Sequence, residues 1–135
     1  MLEAYLVPEK TVVAAKGEGP VVNLSHTQHR VFLVNLAITD IVEQEALDVA
    51  IHGSPDGETW DAKPVMTFPQ KFYRGESPLL LDLREHPNVK FVRVRWDASR
   101  WGRGPEQPHF EFSVTLKEVA PEILREAEAQ ARLLA

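Results

Sequence analysis

Between residues 31 and 39 apolar side chains fall on alternate positions. Phe32, Val34, Leu36 and Ile38 make one file, and Val31, Leu33, Asn35, Ala37 and Thr39 make a second that is only partly apolar. Successive residues of an extended chain point to opposite faces, so the pattern predicts a central strand with one face in a core. Leu47, Val49 and Ile51 alternate with Asp48, Ala50 and His52, and Phe110, Phe112, Val114 and Leu116 alternate with Glu111, Ser113, Thr115 and Lys117. Each is the signature of an antiparallel strand with one buried and one wetter face.

Shorter runs at 11–15, 21–24, 65–68, 72–73, 79–83 and 91–96 predict further strands. The segments between them, Gly17-Glu18-Gly19-Pro20, Ser54-Pro55-Asp56-Gly57, Arg74-Gly75-Glu76-Ser77-Pro78 and Glu85-His86-Pro87-Asn88, are rich in turn formers. Many short strands at this spacing imply a mainly β domain, an antiparallel β-sandwich or barrel, over residues 1–120.

After residue 120 the period changes. Pro121 suits a first helical position, and Glu122 and Glu126 favour the positive end of the helix dipole. Ile123, Leu124, Ala127, Ala131 and Leu134 then form a stripe at helical spacing opposite Glu128 and Arg132. The spacing predicts a C-terminal amphipathic α-helix over 121–134, ~20 Å long. It belongs either to the same domain, as a lid, or to an oligomerisation surface.

Val49-Ala50-Ile51-His52-Gly53-Ser54-Pro55-Asp56-Gly57-Glu58-Thr59-Trp60 reads as a strand, a tight turn and a tryptophan able to fold back onto the sheet. With Leu79–Leu83, the arginine-bearing strand Lys90–Trp96 and a closing strand Phe110–Glu118, it resembles the discoidin-like (coagulation-factor type C) members of the galactose-binding-like fold over residues 30–118. The resemblance implies a jelly-roll sandwich used for binding. By analogy, similar compact sandwiches serve as structural parts of phage particles. The bridging cysteines and exposed aromatic spikes of the secreted, membrane-binding members are missing here, so lipid binding is not expected. Ser54–Trp60 is also similar to a sialidase Asp-box shortened by one residue, which in that family is a structural turn.

Composition narrows the choices. The chain has 135 residues, the size of one domain, and its 44% hydrophobic content supports a self-sufficient core. A net charge of −5 gives no general attraction to phosphate backbones or anionic lipid, so neither nucleic acid nor a membrane is an expected partner. With no cysteine there is no disulfide framework, thiolate metal site or cysteine nucleophile. No basic-then-apolar leader is visible at Met1–Tyr5 and no apolar run spans a bilayer, which makes the cytoplasm the expected location, with a phage particle as a second setting.

Candidate chemistry is sparse. His26 and His29 stand three apart, but no third metal ligand lies near them in sequence. The serines sit in no nucleophile elbow, the glycines make no phosphate-cradling loop, and nothing selects Asp82, Glu85 or Asp97 as an acid–base pair. No catalytic residue, metal site or cofactor is therefore expected.

The segment 97–109 reads as a long connection, and long loops on a rigid scaffold are where binding resides. Arg100, Trp101, Arg103 and His109 are its candidate contact residues, with an arginine-flanked tryptophan suited to stacking on a sugar or anchoring in a protein. Alternatively Trp101 caps the core while Arg100 and Arg103 pair with acids such as Glu58 or Glu106. Arg93 and Arg95 are expected to pair across the sheet with Glu111. The resulting expectation is a non-catalytic module in protein assembly, self-associating or binding another protein, with a carbohydrate-binding module as the alternative.

Overall fold

A computed structural model describes residues 2–13, 15–41, 45–100 and 109–120, and positions 122, 125 and 126. The described residues are mainly β and form two antiparallel sheets. The first sheet joins β1 (Glu3–Val13), β9 (Phe110–Glu118), β4 (Val31–Ile41) and β7 (Gly75–Asp82) in the order β1-β9-β4-β7. The second joins β2 (Lys16–Glu18), β8 (Phe91–Arg100), β5 (Glu45–Ser54) and β6 (Met66–Thr67) in that order, and β3 (Val22–Asn23) also pairs with β8.

The predicted inward files make the core. Phe32, Val34, Leu36 and Ile38 of β4 and Phe112, Val114 and Leu116 of β9 are buried in one cluster with Leu47, Val49, Ile51, Val92 and Val94 of the second sheet. The arrangement is sandwich-like. Trp96 of β8 meets Phe112 of β9 edge to face, with ring centroids 5.6 Å apart and planes at 82°, a geometry that the ring quadrupoles favour.

Several boundaries differ from the sequence reading. β1 begins at Glu3 rather than near residue 11, because register shifts on either side of Val7 interrupt its alternation. Leu6 and Val7 are consecutive buried residues, and Lys10 adopts a positive φ of 61°. Residues 17–18 and 75–78, read as turns for their glycine and proline content, are strand. Gly17 lies directly against the Trp96 indole, where an added Cβ would come within 2.5 Å of the ring. Gly75 and Pro78 sit on β7, an edge of its sheet, where a proline costs no ladder bond.

β8 runs on to Arg100, pairing Ala98 with Leu47 and Arg100 with Glu45, so the connection that looked to begin at Asp97 begins only after residue 100. Conversely, Phe72 and Tyr73 are no strand. They lie on a crossover from Lys71, bridged to Leu47 of the second sheet, to Gly75, paired with Ile38 of the first.

Of the expected terminal helix, the stripe residues Ile123, Leu124, Ala127, Ala131 and Leu134 lie outside the described residues. Among those described, no helix is long and apolar enough to cross a membrane.

Candidate functional site

The outer face of the first sheet is built by register. Row by row it carries Glu3, Lys117, Leu33 and Leu80, then Tyr5, Thr115, Asn35 and Pro78, then Ser113, Ala37 and Glu76. Leu33 and Leu80 are direct cross-strand partners and keep 40% and 46% of their surface in water. Tyr5 is 45% exposed, and its hydroxyl donates to Glu9 Oε1 at 2.7 Å. That bond to a carboxylate raises the phenol above its ordinary pKa of 10.0. Small side chains at Ala37, Ser113 and Thr115 floor a shallow groove of about 460 Å³ between Tyr5 and Glu76. Lys117 and Glu3 form an exposed ion pair of 3.5 Å beside the leucines. The face therefore offers apolar side chains flanked by charges of both signs, with polar groups that still need partners if it is covered.

A second cluster lies where β4 ends and β9 begins. Asp40 accepts from Arg74 Nη2 at 3.0 Å on one oxygen, and its other oxygen is 3.5 Å from His109 Nε2. The Ile41 N–H, donated at 3.0 Å, is the main cause that holds the Asp40 carboxyl below its ordinary range, with Arg74 adding to it. Immediately before Arg74, Phe72 and Tyr73 are 46% and 71% exposed. Tyr73 was not singled out by sequence reasoning; its signal was an aromatic pair between turn formers with no alternating neighbours.

Of the sequence candidates, His109 is placed in this cluster. Arg100 contributes its backbone to the end of β8, and its side chain, with Trp101 and Arg103, lies outside the described residues.

The third feature is the 54–60 turn. Ser54 Oγ accepts the Gly57 N–H at 2.8 Å, and Asp56 Oδ1 accepts those of Glu58 and Thr59, each at 2.8 Å. Gly57 supplies the positive φ, 81°, that the turn demands. The turn delivers Trp60 onto the outer face of the second sheet, where its ring lies 5.0 Å from Arg93 Cζ. Arg93 Nη1 meets Glu18 Oε2 at 2.8 Å, and Arg95 Nε is 3.7 Å from the same oxygen. The expected pairing of these arginines with Glu111 does not occur. β8 and β9 belong to opposite sheets, so β2 rather than β9 is the neighbour that supplies the acid.

His26 and His29 lie in the connection between β3 and β4, and His26 is exposed. Among the described residues no group of three or more His, Asp or Glu side chains converges to hold a metal ion. No protein-family model matches the chain, and no curated protein matches it in sequence.

Proposed function

We propose that the chain is a non-catalytic interaction module that self-associates through the outer face of its first sheet. The carrying observation is the Leu33–Leu80 pair, two large apolar side chains opposite one another on the solvent side of a sheet. Burying a fully exposed leucine contributes ~1.5–3 kcal/mol, and each of these has a little under half of its surface left to cover, so the pair together would add about one such leucine's worth to an association.

The occupant is a second copy. The flanking charges are self-complementary, since a two-fold arrangement can bring Lys117 of each copy toward acids such as Glu76 or Glu111 of the other. Edge-to-edge pairing is the poorer route. β7 carries Pro78 and β1 carries Pro8 and its register shifts, devices that blunt an exposed strand edge. A discoidin-like fold and an assembly role of the phage-particle kind accord with this reading, and the apolar stripe of 121–134 would extend the contact.

Light scattering across a dilution series tests it. The wild-type chain should run as a dimer or larger, and Leu33→Lys with Leu80→Lys should run as a folded monomer. A wild-type chain that stays monomeric at high concentration overturns the proposal.

A second reading is favoured by Phe72 and Tyr73, exposed beside the Arg74–Asp40–His109 cluster. Exposed rings next to fixed hydrogen-bonding groups are what a sugar face requires. On this reading glycan-array binding is lost in Tyr73→Ala and Trp101→Ala, and a blank array removes it.

A further inference from the structure

Glu118 is the buried acid of the described core, 2% exposed at the end of β9, where the file of Phe110, Phe112, Val114 and Leu116 points inward. Its Oε1 accepts the Leu2 N–H at 3.1 Å and its Oε2 accepts the His29 N–H at 3.2 Å. A carboxylate has about four acceptor directions, so roughly half remain unused. Among the described residues no lysine, arginine or histidine pairs with it, and an unneutralised buried charge is costly.

The same carboxylate lines a cavity of about 330 Å³ with Leu2, Asn23, His26, Thr27 and Gln28. We propose that this cavity binds a primary ammonium group, with the Glu118 carboxylate at its base as the counter-charge.

The lining decides among cations. Thr27 Oγ1 donates to the Leu24 carbonyl at 2.8 Å, which leaves its lone pairs to accept, and the Gln28 amide oxygen is a further acceptor at the rim. An ammonium carries three donors and no acceptor, which matches one carboxylate plus two neutral oxygens. A calcium or magnesium ion needs six or more oxygens at close range, and among the described residues Glu118 is the one carboxylate in the lining. A guanidinium prefers both carboxylate oxygens side by side, whereas each Glu118 oxygen already accepts a backbone N–H. A quaternary ammonium wants an aromatic cage, and among the described residues no aromatic ring other than the His26 imidazole lines the cavity. The site stands apart from the first sheet's outer face, so the proposal does not depend on self-association.

Amide chemical shifts of Leu2 and His29, whose N–H groups touch the carboxylate, report occupancy directly. Titration with ethylammonium should shift both in a saturable way, while tetramethylammonium, guanidinium and calcium should not. Glu118→Gln, checked for folding by its remaining amide spectrum, should lose the response, and Gln28→Ala, at an exposed position, should weaken it by about threefold to tenfold. Should Glu118→Gln fail to fold, Gln28→Ala and the choice of cation still decide the matter. A peptide bearing one lysine, compared with ethylammonium, separates a protein side chain from a free amine as the source. No saturable shift with any primary amine, or equal shifts with tetramethylammonium, overturns the proposal.

Discussion

The guanidinium of Arg93 lies over the indole of Trp60, 5.0 Å from the ring centre, while its other side reaches Glu18. The contact joins a turn that is local in sequence to the middle of the second sheet. The Arg93 side chain is only 23% exposed, so the pair is partly desolvated and a cation–π term of ~1–2 kcal/mol is expected. Trp60→Ala should lower the urea midpoint by a corresponding amount. A double-mutant cycle with Arg93→Met should return a coupling of ~1–2 kcal/mol, and additive single effects would count against the stacking.

Acid should weaken the 54–60 turn. The Asp56 carboxyl is held below its ordinary 3.8 chiefly by the Thr59 N–H and then by that of Glu58. A lowered folded pKa means that the unfolded chain takes up the proton more readily. The stabilisation is therefore fully present above 3.8 and is lost as pH falls through the folded value. Asp82, lowered chiefly by the Arg84 side chain, adds in the same direction. Melting temperature should fall with pH below about 4. Asp56→Asn should flatten part of that slope, and an identical slope in the variant would sink the assignment.

The alternating files of β4, β5 and β9 were legible because each position there has one dominant physical demand, core or water. β1 was only partly legible, since its bulges place Leu6 and Val7 inward in succession and break the period. The first half of β7 and all of β2 were hidden by Gly75, Pro78 and Gly17, whose residue types signal turns although edge position and close packing are what they serve. The Trp60 return onto the sheet was legible from the turn chemistry, but its partner was not, because strand order decides which acid faces Arg93. Glu118 left a signal that went unread: a charged residue at an inward position of an otherwise perfect alternation. Leu33 likewise stood in the outward file as an apolar exception.

Gly19 follows β2 and donates its N–H to the Val94 carbonyl at 2.8 Å. A Cβ at this position would collide with the backbone carbonyl oxygen of Leu6 in β1. The obstacle is main chain of the opposite sheet, which cannot rotate aside as a side chain could. Gly19→Ala should thus cost more than ~2 kcal/mol, well above the usual single-substitution effect. Equilibrium denaturation decides it, and a loss within ~0.5 kcal/mol would show that β1 can move away freely.

Phe112 ties the two sheets together. It is fully buried, sits on β9 between β1 and β4, and presents its ring to Trp96 of β8. Phe112→Leu keeps most of the apolar volume but removes the edge-to-face contact, worth ~0.5–1.5 kcal/mol, and leaves a small void beside the indole. Phe112→Ala adds a cavity that the sheet backbone cannot collapse into, and the cost should reach ~3–5 kcal/mol. Trp96 supplies the readout, because loss of the ring beside it changes the packing around the indole and hence its emission. If Phe112→Leu shifts stability and Trp96 fluorescence together, the aromatic contact carries part of the inter-sheet adhesion. If stability falls while the emission stays as in the wild type, volume alone holds the sheets, and the Trp96 contact is incidental to it.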